Sequence, residues 1–324
     1  MTDRGLIDVH QHLIPQVYID RLATVGVMGS GEHPWPDCSV SKALDLMDRT
    51  GIATAFTSIS SPGLYFGDVD FTRRLARECN DAMAELVRDK PDRFGAFAAI
   101  PLPDVDASLR ELEYALDVLK LDGVNLVTHV AHRYMGHPEE TEFYAELDRR
   151  RAVVFVHPVR PNLDGLAPLS YSTGLTELVF DTTRAIANML FTGTLERFPN
   201  IRFIMPHAGG VTPFLLFRLS GQDSNPCMKD KIPQGVAAYL RRFYYDIAQS
   251  AALLSLRALS EVAEPDRIVF GSDYPFALTR EKVVYDTIAG LRGYDGYDAE
   301  QRRRVERDNA LALFPRLTGP GERP

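Results

Sequence analysis

The sequence predicts a closed barrel of eight parallel strands, each followed by a helix. Three observations carry that prediction. Short apolar runs rich in β-branched and aromatic residues recur eight times along the 324 residues, amphipathic stretches separate them, and no linker or composition shift divides the chain. Runs that are apolar on both faces and alternate with helices belong to a parallel sheet covered by helices. Eight such units make a (β/α)8 barrel of the TIM type, with an open doubly wound sheet as the alternative.

The runs follow one another in order. "GLIDVHQH" opens the series, then "IATAFTSIS" (52–60), "FGAFAAIP" (94–101) and "DGVNLVTHV" (122–130); "AVVFVHP" (152–158), "IRFIMPHAGG" (201–210), "FYYDIAQS" (243–250) and "RIVFGSDYPF" (267–276) complete it. Between them, spacings of three and four place Leu75, Cys79, Ala82, Met83 and Leu86 on one apolar stripe, and Leu109, Leu112, Leu116 and Leu119 on another. Asp104 and Ser108 read as start signals for the second of these helices and Gly123 as its stop. The stretch from Leu13 to Cys38, with "MGSGEHPWP", reads as an irregular insertion after the first strand that covers the barrel mouth. One barrel over residues 1–315 and a frayed tail over 316–324, which contains "LTGPGERP", complete the expected organisation.

Composition narrows the function. The chain is 45% hydrophobic, with a formal net charge of −8, which gives no basis for binding nucleic acid or an anionic membrane surface. The arginine runs 149–151 and 302–304 fall in helical patterns and read as solvated faces. Three scattered cysteines, Cys38, Cys79 and Cys227, without a CxxC pair suit a reducing compartment. The first strand begins within a few residues of Met1, and no apolar run approaches the roughly 20 residues of a membrane span, so the expectation is a soluble cytoplasmic protein without a signal peptide.

In such barrels chemistry sits at the carboxyl ends of the strands. His10 and His12 end the first run, His157 the fifth, His207 the sixth and Asp273 the eighth. Residues i and i+2 of a strand share a face, roughly 7 Å apart along the backbone, so the first two imidazoles can converge on one ion. Each residue alone could be a packed or turn-forming side chain, but imidazole and carboxylate gathered at one barrel mouth suit zinc or a related ion. GxSxG, Walker, GxGxxG and HExxH signatures are absent. The fourth run has no lysine to form a bridging carbamate, which points to one metal rather than two. His129, near the end of that run, is a candidate substrate contact; His33, His132 and His137 read as surface or loop residues. Trp35, Tyr65, Phe66, Tyr274 and Phe276 are candidates for an aromatic pocket, and Ser60, Ser61 and Arg160 are left undecided.

With "DVHQH", "VHP", "PHAGG" and "GSDYPF" in this order, the chain resembles the amidohydrolase superfamily. Within it, the chain is most similar to the branch of α-amino-β-carboxymuconate-ε-semialdehyde, γ-resorcylate and 6-methylsalicylate decarboxylases, from about residue 6 to residue 315. The stretches "ALDLMDRTGIATA", "RFGAFAAIPL" and "RFYYDIA" share the likeness. The resemblance implies that His10, His12, His157 and Asp273 hold one divalent metal, zinc or in some members manganese. It makes His207 an acid/base residue that is not a ligand, and Arg218 a substrate-carboxylate residue, in some members supplied by the neighbouring subunit of a homodimer. "HPWPDCSVSKAL" lacks the second carboxylate-binding arginine of the muconate-semialdehyde enzymes, which favours a monocarboxylate such as a salicylate. The implied activity is non-oxidative decarboxylation of a small aromatic acid with His207 and Asp273 as the catalytic pair. The alternative is a hydrolase that uses the same metal on a lactone, amide or C–C bond.

Overall fold

The computed structural model describes residues 5–31, 33–37, 39–164, 167, 169–276 and 281–318. Cys38 and the last six residues of the expected tail lie outside the described residues. Among the described residues, eight parallel strands form one sheet in chain order: β1 (Leu6–Gln11), β2 (Ile52–Thr57), β3 (Phe94–Ala99), β4 (Gly123–Val127), β5 (Val153–His157), β6 (Arg202–Met205), β7 (Tyr244–Asp246) and β8 (Ile268–Val269). The first and last strands meet through Val9 N–H to Phe270 O (3.0 Å), Asp273 N–H to His10 O (2.7 Å) and His12 N–H to Tyr274 O (2.8 Å). The sheet is therefore a closed barrel, and the doubly wound alternative falls away.

Two apolar layers hold it. Ile7, Val9, Phe56, Phe97, Phe155, Ile204 and Val269, drawn from strands all round the sheet, meet in one buried cluster inside the barrel. Phe314 closes its lower end, with ring centroids 4.1 Å from Phe56 and 5.8 Å from Phe97. The larger cluster lies between the sheet and the helices, and includes the stripe residues Leu75, Cys79, Met83 and Leu112. This double burial is why the strands read as nearly continuous apolar runs. Beyond the expected boundary at residue 315, Arg316 donates to Phe94 O (3.0 Å) and pairs with Asp122, so packed chain continues to the end of the described residues.

Helix punctuation follows local chemistry. Ser39 Oγ accepts the Lys42 N–H (3.3 Å) at the start of Val40–Thr50, which ends at Gly51 with φ 77°, a conformation glycine adopts without strain. Asp104 accepts the Ala107 N–H (3.0 Å) and caps Val105–Glu113, as its position suggested. Gly123 does not stop that helix: it opens β4, where a Cβ would lie 2.5 Å from Val153 O. The stretch after β1 is also more ordered than expected, holding the helix Gln16–Ala23 and a hairpin that pairs Gly29–Ser30 with His33–Pro34.

The observed strands stop short of the predicted runs. Ser58–Ser60, Thr128, His207–Gly210, Ala248–Gln249 and Gly271–Phe276 leave the sheet. These departures carry most of the polar side chains described next.

Candidate metal centre and adjoining cavity

Each of β1, β5 and β6 delivers histidine to the carboxyl end of the barrel, and the loop after β8 delivers Asp273. The ligand atoms of His10, His12, His157 and Asp273 lie within 4.8 Å of one another, all buried. His10 Nε2 and His12 Nε2 stand 3.1 Å apart, close to the roughly 3.3 Å between two nitrogens bound to one tetrahedral zinc. Asp273 Oδ1 lies 3.3 Å from both and is buried without a hydrogen-bond partner among the described residues.

The other ring nitrogens are all engaged. Nδ1–H of His10 donates to Asp246 Oδ2 (2.8 Å), that of His12 to Ser58 O (3.0 Å) and that of His157 to Pro158 O (2.8 Å). These bonds set the tautomer that leaves each Nε2 lone pair for an ion, a recurrent arrangement around metal-binding histidines. The field has the same sense. Burial disfavours a charged His10, yet Asp246 and Asp273 outweigh it and push its pKa up to about 10. Burial lowers the pKa of His12, and that of His157 falls well below the usual range for the same reason. A cation is favoured at this point and two of the imidazoles stay neutral, which a divalent ion satisfies. The orphaned carboxylate oxygen and the donor set both fit a metal-binding site.

His207 stands beside this cluster. Its Nε2 is 3.3 Å from Asp273 Oδ2, its backbone N–H donates to Asp246 Oδ1 (3.0 Å), and its Nδ1 has no partner among the described residues. Gln249 Nε2 also donates to Asp273 Oδ2. Burial opposes the charge on Asp273, but the nearby charge on His10 and the hydrogen bond to His207 hold its pKa well below the carboxylate range.

The backbone here is strained. His207, Gln249 and Asp273 have φ of 54°, 53° and 58°, a region that side-chain-bearing residues seldom occupy. In "PHAGG" the left-handed run continues through Gly210, where a Cβ would meet Val179 O at 2.2 Å; only glycine fits.

A cavity of about 330 Å³ adjoins the cluster, within the size range of small-molecule sites. His157 and Asp273 line it together with Ser30, His33, Ser60, Ser61, Arg160, Ser172, Leu175, Leu178, Gln249 and Phe276. His10, His12 and His207 are not among the lining residues. Of the pocket candidates, Phe276, Ser60, Ser61 and Arg160 line this cavity. Tyr65, Phe66, His129 and His132 line a neighbouring one. Trp35 packs on Tyr18 (5.6 Å), and buried Tyr274 bridges to Gln11. His129 is tied to buried Asp181 (3.0 Å), and His137 caps a short turn at Pro138–Glu140. His33, expected at the surface or in a loop, is exposed but reaches the cavity rim and contacts Ser172 Oγ at 3.3 Å. Arg218 projects exposed from the helix Thr212–Ser220 and does not line the cavity of its own chain.

Asp246 and Asp8 are polar anchors that sequence reasoning did not single out. Asp8 accepts from His10 N–H and Ser272 N–H (3.0 Å each) and from Ser272 Oγ (2.6 Å), fastening the β8 loop to β1. A signal for Asp246 was present: it and Gln249 are polar residues within the seventh run, the one run between the fifth and eighth whose polar residues went unused.

A family model described as amidohydrolase matches residues 7–316. The chain belongs to the amidohydrolase family. Among curated amidohydrolase relatives, it is 34% identical to the 6-methylsalicylic acid decarboxylase of Penicillium expansum, covering 97% of each chain. It is 27% identical to a γ-resorcylate decarboxylase of a Rhizobium species, covering 84% of this chain and 85% of that protein. A crystal structure described as an amidohydrolase II superposes with a TM-score of 0.87 at 28% identity, over 97% of this chain and 100% of the other.

Proposed function

We propose that this amidohydrolase is a metal-dependent, non-oxidative decarboxylase of a small aromatic carboxylic acid of the hydroxybenzoate or salicylate type. The observation that carries the reading is the shared Asp273 carboxylate: Oδ1 faces the histidine cluster, Oδ2 meets His207, and the residue lines the adjoining cavity. The names of the relatives support the same chemistry. We assign His10, His12, His157 and Asp273 as ligands of one divalent ion, zinc, with manganese as the other choice. When bound, that ion supplies charge stabilisation to the substrate's oxygens.

The chain's own residues manage the proton. The ring carbon bearing the carboxylate must be protonated, and the C–C bond then breaks with its electron pair restoring the aromatic ring as CO2 leaves. His207 and Asp273 act as one acid/base pair, 3.3 Å apart at Nε2 and Oδ2. Leu175, Leu178 and Phe276 give the cavity an apolar wall suited to an aromatic ring.

Arg218 is assigned to substrate binding across a homodimer. Its exposed position is supported by its surroundings: Phe214 and Phe217 on the same helix are 57% and 94% exposed, and Leu253 and Leu254 of the adjacent helix 54% and 69%. Such an apolar patch suits a subunit interface. A cytoplasmic location is in keeping with Cys79 and Cys227, both free thiols, and no helix among the described residues is long and apolar enough to cross a membrane.

The deciding experiment is metal analysis of the purified protein followed by incubation with salicylates. Release of CO2 with formation of the phenol supports the reading; a ring-opened acid without CO2, or hydrolysis of a lactone or amide alone, replaces it with the hydrolase.

A further inference from the structure

Gln249 lies three residues beyond β7 and lines the cavity beside Asp273. It is solvent-exposed, yet its Nε2 donates to Oδ2 of buried Asp273, the oxygen that also meets His207. Its backbone has a φ of 53°, close to the 54° of His207 and the 58° of Asp273. Strained backbone of this kind persists only where its surroundings impose it, and it gathers at ligand sites. His207 and Asp273 have their place in the acid/base pair; Gln249 shares their conformation and their contact without a role so far.

The contact to Asp273 decides which way round the amide sits. A carboxylate that ligates a metal is ionised and only accepts hydrogen bonds, so the end of the amide turned towards it is the NH2 group. Oε1 is left over, and it has no hydrogen-bond partner among the described residues. The serine hydroxyls of the wall are turned to protein instead: Ser30 Oγ and Ser60 Oγ donate to Ser61 O at 2.9 and 3.5 Å, and Ser172 Oγ meets His33. Gln249 therefore brings to the cavity the one side-chain amide among the described lining residues, with its carbonyl end unused.

A carbonyl oxygen recognises a donor. A phenolic hydroxyl supplies one, whereas the unsubstituted ring of benzoate supplies none, and the apolar wall of Leu175, Leu178 and Phe276 accommodates either ring. We propose that Gln249 Oε1 accepts a hydrogen bond from a ring hydroxyl of the bound acid and so selects hydroxybenzoates over benzoate.

The assignment rests on the decarboxylase reading for its substrate class and deepens it to one substituent. The test titrates benzoate and the ortho, meta and para hydroxybenzoates into metal-loaded wild type, Gln249→Met and Gln249→Gly by calorimetry, with metal content and CO2 release followed on each sample. Methionine keeps the length of the side chain without the amide; glycine adopts a φ of 53° without strain, so its result does not depend on a destabilised fold. Wild type is expected to bind at least one hydroxy acid about three- to tenfold more tightly than benzoate, the range of one neutral hydrogen bond. Both variants should lose that preference while benzoate affinity and metal content stay at the wild-type level. The inference is overturned if wild type shows no preference, if the preference survives in the variants, if benzoate weakens as much as the hydroxy acid, or if the variants lose their metal, which would make Gln249 a brace for Asp273 alone. A protein whose hydroxyl preference depends on Gln249 but which releases no CO2 would sink the decarboxylase reading and leave this one standing.

Discussion

Asp273 divides its two carboxylate oxygens between neighbours of different kinds: Oδ1 is 3.3 Å from the Nε2 atoms of both His10 and His12, while Oδ2 is 3.3 Å from His207 Nε2. One side chain thus joins the buried histidine cluster to the His207 imidazole. His207→Ala should keep its metal near the wild-type content while activity falls by about 10²-fold or more. Metal analysis beside turnover checks this; loss of the metal would make His207 a ligand.

Asp246 holds His10 through Oδ2 and the backbone at His207 and Ala248 through Oδ1. Asp246→Asn can keep the backbone contacts through its amide oxygen while weakening the contact to His10. Metal affinity, measured by competition with a chelator, should drop by about 10–100-fold. Unchanged affinity would mean that Asp246 only braces the loop.

The apolar patch around Arg218 gives a separable pair of variants. Phe217→Asp places a charge where an aromatic ring is 94% exposed; sedimentation should then show a monomer with its metal retained. Arg218→Ala should sediment as the wild type does and show a raised KM. A normal KM removes Arg218 from substrate binding, and a wild-type protein that sediments as a monomer removes the interface.

Far from the metal, Glu140 is 3% exposed beside Tyr144, and burial pushes its carboxyl up to about 7 despite the nearby charge of Arg133. The folded state holds this proton more tightly than the unfolded chain, whose carboxyl titrates near 4.5. The resulting stability is complete below the lower value and is lost as pH rises through the upper one. Glu140→Gln should therefore raise Tm at pH 8 by a few degrees relative to wild type and change it little at pH 4. Equal effects at both pH values would show that packing, not ionisation, governs this site.

Much of this could be read from the residues. Alternation of apolar runs with three-and-four stripes placed every barrel strand, and the polar residues closing runs one, five, six and eight include all four members of the metal cluster. Strand ends and loop structure were less legible, because they depend on left-handed backbone at His207, Gln249 and Asp273, which propensity disfavours and tertiary contacts impose. Asp246 escaped because it sits inside an apolar run and acts by orienting His10. His33 escaped because its role depends on a hairpin folding back towards Ser172. Gly123 misled because a glycine after a helical stripe reads as a cap, whereas here it permits two strands to approach closely.

The fastening of β1 to the β8 loop, with Asp8 gripping Ser272 across 264 positions of sequence, has a kinetic corollary. Loops of that span close late, after local contacts have formed. An ion that needs side chains from both margins of this seam can be captured tightly only once the circle is complete. Loading thereby reports on assembly: a half-built cylinder offers the ion three imidazoles at most, and the final carboxylate arrives with the last stitch.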